Sequence, residues 1–156
     1  MSTASVLGAR LTRELEKIHM AAQSAVSQAN KANSTGDLDY LQAAALSLQN
    51  FYMGVEQAFE EIAKQVDQSL PQGASSHREL LEQMALNIPQ SRPAVIQPHT
   101  LAQLNEYRGF RHVVEHRYGF ELYPERIQAL VDQLPTACAS LTEDLQAFCQ
   151  FLSQLP

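Results

Sequence analysis

Residues 41–66 read LQAAALSLQNFYMGVEQAFEEIAKQV, and their apolar positions Leu41, Ala45, Leu48, Phe51, Tyr52, Val55, Phe59, Ile62 and Val66 recur at helical spacing. This period predicts one long amphipathic helix of roughly seven turns, and no period-two alternation competes with it. The turn-forming run Ser69-Leu70-Pro71-Gln72-Gly73 stops it. Upstream, Leu7, Leu11, Leu15, Ile18, Ala22, Ala25 and Ala29 draw a second stripe over residues 6–32, which Asn33-Ser34-Thr35-Gly36-Asp37 ends. Two such helices on so short a link predict an antiparallel pair.

Three further helical patterns follow. A helix is expected over residues 76–86, capped by Ser75 or Ser76 with Glu79 in its first turn. The stretch 87–98, with Pro89, Pro93 and Pro98, reads as an extended loop. A fourth helix should start at His99 or Thr100 and run to about Tyr118, with Gly119 as a left-handed residue just past its end. The fifth begins at Tyr123-Pro124-Glu125, with proline in the first helical position. It carries Ile127, Leu130, Val131, Leu134, Cys138, Leu141, Leu145, Phe148 and Leu152, and Pro135 predicts a kink or break inside it. The expected fold class is therefore all-α, an up-and-down bundle of about five helices in a single domain spanning residues 5–155.

At 156 residues and 45% hydrophobic, the chain can bury one core without disulfides or a structural metal. Its two cysteines, Cys138 and Cys149, lie roughly 16 Å apart if both are on the last helix, so they are expected as free thiols. A formal net charge of −6 gives no global attraction for nucleic acid, and any RNA binding must come from a local patch. Residues 1–4 start no secretory apolar segment, and no run approaches the ~20 apolar residues of a membrane span. A cytoplasmic protein without a membrane partner is expected.

The chemistry concentrates in Arg111-His112-Val113-Val114-Glu115-His116-Arg117-Tyr118. Wound as a helix, Tyr107, Phe110, Val113 and Val114 share a core face, while Arg108, Arg111, His112 and Glu115 fall on the opposite, polar one. Leu101 and Leu104 lie near that polar stripe, so the helix is expected to present apolar surface on both sides and to pack against a second copy. Four of the eleven Lys and Arg lie between Arg108 and Arg126, a modest basic patch. The plain alternative is a solvated, salt-bridged helix face beside Glu115 and Glu121. His116 stands in the last turn, where the helix dipole favours the imidazolium that a general acid requires.

His112-Val113-Val114-Glu115-His116 also spells the H-x-x-E-H of inverted zincins, with Glu121, Glu125 and Glu143 as nominal third ligands. A peptidase would need a substrate cleft and usually a larger body, so no metal and no cofactor are expected.

Arg111-x4-His116-x-Tyr118, at the end of a helix in a small all-α chain, resembles the signature of HEPN ribonucleases of the HepT-like toxin family. The likeness extends through Leu46-Ser47-Leu48-Gln49-Asn50-Phe51-Tyr52 to Glu56 and Phe59, and through His77-Arg78-Glu79-Leu80-Leu81-Glu82-Gln83-Met84. His112 stands where the family carries a polar residue, often asparagine. The resemblance implies a metal-independent endoribonuclease that acts on RNA through the 2′-hydroxyl, and a homodimer or higher oligomer whose protomers both contribute Arg111 and His116 to a shared cleft. That agrees with the roughly 140° by which the two residues diverge on one ideal helix. Arg111 would bind phosphate and stabilise the developing charge, and His116 would act as general acid or base. Arg108, His112 and Arg117 would support RNA binding, and Tyr107 or Tyr118 would stack on a base. The resemblance further implies an MNT-type nucleotidyltransferase antitoxin that transfers AMP to Tyr118. The competing expectation is a HEPN-type helical module that binds RNA, a nucleotide or a partner without cutting.

Overall fold

The computed structural model describes residues 2–116 and 123–156, with backbone only over 112–116. Five helices account for most of it: α1 (Thr3–Thr35), α2 (Leu38–Ile62), α3 (Ser76–Met84), α4 (Pro98–His116) and α5 (Pro124–Ser153). No strand occurs among the described residues, which hold one isolated bridge between Ile88 and Arg92.

Each stripe buries the residues its period selects, except that Leu41 and Val66 at the ends of the second are only partly buried. On α1 these are Leu7, Leu11, Leu15, Ile18, Ala22, Ala25 and Ala29. On α2 they include Ala45, Leu48, Phe51, Tyr52, Val55, Phe59 and Ile62, and on α5 all nine apolar residues from Ile127 to Leu152 named above. α1 is capped by the Ser2 hydroxyl, which accepts from Ser5 N at 3.2 Å, and ends on Gly36 at φ 72°, a left-handed C-cap that glycine adopts without strain. Asp37 then caps α2 by accepting from Asp39 N at 2.9 Å. Gly36 and Asp37 are thus the whole link, and α1 and α2 pair antiparallel. Small residues set their spacing: a Cβ on Gly54 would lie 3.0 Å from Ile18 Cγ1.

α5 lies along α1, and α4 is set between α2 and α5, with α3 against α2 and α4. Pro135 lies inside α5, which continues through it from Pro124 to Ser153, so of the expected kink or break the break is absent. Flanking residues hold the helix although proline withdraws one N–H. Tyr123 precedes Pro124 as the N-cap, as the sequence suggests.

Two polar clamps fix the segment between α2 and α4. A π-helical turn, Ala63–Asp67, extends α2 and ends on Gln68 at φ 53°. Its Asp67 receives Arg92 Nε at 2.6 Å and Nη2 at 2.8 Å, while the same guanidinium donates to the carbonyls of Gln83, Leu86 and Pro93. The Arg92 side chain has no exposed surface. At the other end, buried Asp144 of α5 accepts from Gln97 N at 3.0 Å, just ahead of α4. Together these hold α3 and the start of α4 against α2.

The face of α4 differs from the sequence expectation. Thr100, Leu104, Tyr107 and Phe110 are buried, and Leu101 packs against the same core. Leu104 is therefore covered within one copy and Leu101 partly so, and these two residues do not form the second apolar face expected of this helix. Tyr107 is also unavailable for stacking on a base: its hydroxyl donates to Leu130 O at 2.7 Å, and its ring meets Phe51 edge-on at 5.3 Å.

Candidate active site

Residues 104, 107 and 111 lie on one stripe of a helix, so the face that buries Leu104 and Tyr107 also carries Arg111 inward. The side chain is only 16% exposed, and its Nη1 donates to Glu56 Oε1 of α2. Glu56 follows Tyr52 by one turn on the buried face of α2, so a carboxylate occupies a core position and requires a cation. Arg111 thus lies at the edge of the core, where the sequence reading had set it on the polar side of α4.

Glu56 has a second partner. His77, in the first turn of α3, has Nδ1 2.8 Å from Glu56 Oε2 and 3.4 Å from Arg111 Nη1. A carboxylate only accepts, so Nδ1 carries the hydrogen and donates it, and the imidazole and guanidinium share one anion. Burial pushes the Glu56 carboxyl above its ordinary range, against the His77 hydrogen bond and the charge of Arg111. Burial likewise pushes the phenol of Tyr52 well up, so it stays neutral behind the pair.

The cluster lines a pocket of about 200 Å³ bounded by Glu56, Ala74, Ser75, His77, Arg78, Arg108 and Arg111. Three arginines and a histidine surround one carboxylate, a balance that suits an anionic ligand. Arg108 stands at the rim, with Nε donating to Asn105 Oδ1 at 2.9 Å, and Arg78 is largely exposed. The chemistry available is phosphate binding by forked guanidinium donors and proton transfer by an imidazole.

Of the residues singled out in the sequence, Arg111 and Arg108 meet at this pocket. His112 and His116 lie on the described backbone of α4, of which His116 is the last residue, but their side chains lie outside the described atoms. Arg117, Tyr118, Gly119 and Glu121 lie outside the described residues. No group of three His, Cys, Asp or Glu gathers as a metal site among the described residues. Cys138 and Cys149 are free thiols. No described helix is long and apolar enough to cross a membrane.

Sequence reasoning placed Glu56 and His77 in the stretches that carry the family likeness but gave neither a role at the site. Glu56 carried a further signal, an acid inside an apolar stripe. The place of His77 beside Arg111 had none of its own, because it depends on how α3 docks.

No curated protein and no solved structure matches the chain. The family described as HepT-like protein matches residues 43–152, which run from α2 to the last turn of α5 and include Glu56, His77 and Arg111. The match spans most of the chain, and the helical bundle agrees with it: the protein belongs to the HepT-like family of HEPN-domain proteins.

Proposed function

We propose that the protein is the toxin of a HEPN/MNT toxin–antitoxin pair and a metal-independent endoribonuclease. The observation that carries this reading is Arg111, seated on Glu56 beside His77 at a pocket bordered by two further arginines, in a chain of this family. RNA supplies its own nucleophile, the 2′-hydroxyl next to the scissile phosphate, so the protein has to orient the phosphate, stabilise its charge and move protons. Arg111 takes the first two tasks. His116 exchanges a proton with the reacting oxygens, and Arg108, His112 and Arg117 hold the flanking backbone. Because Arg111 and His116 diverge by roughly 140° on an ideal helix, the working site is composite and draws on two copies.

Tyr118 is the proposed point of control. Its hydroxyl attacks the α-phosphate of ATP under a nucleotidyltransferase antitoxin, pyrophosphate leaves, and the AMP adduct obstructs the RNA path and competes for Arg111. Co-expression with that partner should add the mass of one AMP to the parent but not to Tyr118→Phe.

The test of the main reading is to incubate the purified protein with tRNA or total RNA in EDTA. Cleavage that Arg111→Ala and His116→Ala each abolish is expected; intact RNA, or undiminished cutting by His116→Ala, would overturn it. The carboxylate already on Arg111 favours a second reading, a module that binds RNA or a nucleotidyltransferase without cutting. Tight RNA binding with no products at any pH is its signature.

A further inference from the structure

Cleavage by the 2′-hydroxyl needs two proton transfers in two places. As the 2′-oxygen–phosphorus bond forms, the hydroxyl proton must leave; as the phosphorus–5′-oxygen bond breaks on the opposite side, the departing oxygen must gain one. The products are a 2′,3′-cyclic phosphate and a 5′-hydroxyl. A single imidazole does not reach both oxygens of an in-line displacement, and the R-x4-H of one copy supplies one histidine; in a two-copy site the second motif histidine competes for the other transfer. Within one copy the structure brings a histidine of a different helix, His77, beside Arg111.

We propose that His77 is the general base that removes the 2′-hydroxyl proton, with Glu56 as its positioning residue and His116 as the general acid. The inference rests on the ribonuclease reading. Its geometry is that of a carboxylate-oriented imidazole: Glu56 accepts from Nδ1–H at 2.8 Å, which fixes the ring and the tautomer and leaves Nε2 as the proton acceptor. No described residue hydrogen-bonds Nε2, and the His77 side chain is 53% exposed at the pocket. Arg111 lies 3.4 Å from the same ring, so a phosphate held by its guanidinium lies beside the base. His116, whose proton exchange belongs to the ribonuclease reading, is then left to protonate the leaving oxygen. Among the described residues, the charged groups that share the pocket with His77 are Glu56 from α2, Arg108 and Arg111 from α4, and Arg78 on α3 itself; Glu60, one turn further on α2, acts on Glu56.

Two substrates separate the roles: ordinary RNA, and RNA with sulfur replacing the bridging 5′-oxygen, whose thiolate leaves without a proton. His77→Gln is expected to slow both by roughly 100-fold or more, the usual contribution of general acid–base catalysis, and to remove the acid limb of the pH profile of kcat/KM. His116→Ala is expected to slow ordinary RNA comparably and to recover on the thio substrate. Glu56→Gln should lower kcat and displace the acid limb, a change that loss of packing alone would not produce. Far-UV circular dichroism checks that each variant is folded, which the exposure of His77 favours. If the parent cuts and His77→Gln matches it, the general-base role fails while the ribonuclease reading stands. Recovery of His77→Gln on the thio substrate would overturn the assignment of base and acid. An unchanged pH profile in Glu56→Gln would remove that residue from the mechanism. A parent that cuts neither substrate would bring down the ribonuclease reading and this inference with it.

Discussion

Replacing Arg92 with leucine should damage the fold more than any surface charge change. The guanidinium is fully buried and makes five hydrogen bonds: two to Asp67 and one each to the carbonyls of Gln83, Leu86 and Pro93. Its removal leaves the Asp67 carboxylate, 3% exposed, with Gln83 Nε2 at 2.8 Å as its remaining side-chain donor. Breaking a buried ion pair from one side costs about 3–5 kcal/mol, against a typical domain stability of about 5–15 kcal/mol. For a chain of this size that corresponds to a fall in Tm of about 6–20 °C. Urea unfolding followed by far-UV circular dichroism measures it at pH 7. The double variant Asp67→Leu with Arg92→Leu should recover part of the loss, because it no longer strands a charge. The sign with pH is also fixed. Burial alone would raise the Asp67 carboxyl, but the hydrogen bonds from Arg92 and Gln83 outweigh it and hold it below its ordinary value. Its stabilisation is therefore complete above about pH 4 and is lost as pH falls through the lowered value. A loss below about 1 kcal/mol for Arg92→Leu, or a double variant no more stable than Arg92→Leu, would refute the reasoning.

Two further outcomes test other parts of the structure. Gly54→Ala places a Cβ 3.0 Å from Ile18 Cγ1; overpacking costs about 1–3 kcal/mol against about 1 kcal/mol of helix propensity gained, so a net loss is expected, and an unchanged or higher Tm would contradict the close approach. Glu56 behaves with pH in the opposite sense to Asp67. Burial raises its carboxyl in the folded state, so its contribution is full below the ordinary value and is lost as pH rises through the raised one. The stability of Glu56→Gln relative to the parent should therefore rise with pH from about 4 upward, and a flat difference in urea titrations would count against it.

The large elements were legible because their signal is local. On α1, α2 and α5 the three-and-four spacing selects the buried residues almost one for one, since a long helix on the surface of a core can bury only one stripe. α4 was harder. Its inward stripe of Thr100, Leu104 and Tyr107 ends in Arg111, and an arginine reads as outward unless its counter-ion is known. That counter-ion lies 55 residues earlier in the chain, on α2. Arg92 and Asp144 were invisible for the same reason: each is a charged residue buried by pairing with atoms on another element, which no local period records. The motif led to Arg111, but His77 is brought beside it by the docking of α3. Helix propensity does not encode that placement.

The seat of Arg111 on Glu56 has a consequence for how RNA would be held. A free arginine carries about 2 kcal/mol of side-chain conformational entropy, which a binding partner must overcome before the guanidinium can fork onto phosphate. For Arg111 that ordering is complete once the chain has folded, because α2 and α3 already fix its direction. Largely exposed Arg78 remains to be ordered by its ligand. A phosphate placed against Arg111 is oriented from the first contact, whereas one that meets only the rim is attracted loosely and released by salt. On the ribonuclease reading, the site would therefore separate holding RNA near from holding one phosphate in register, and would assign the second task to the arginine the core has immobilised.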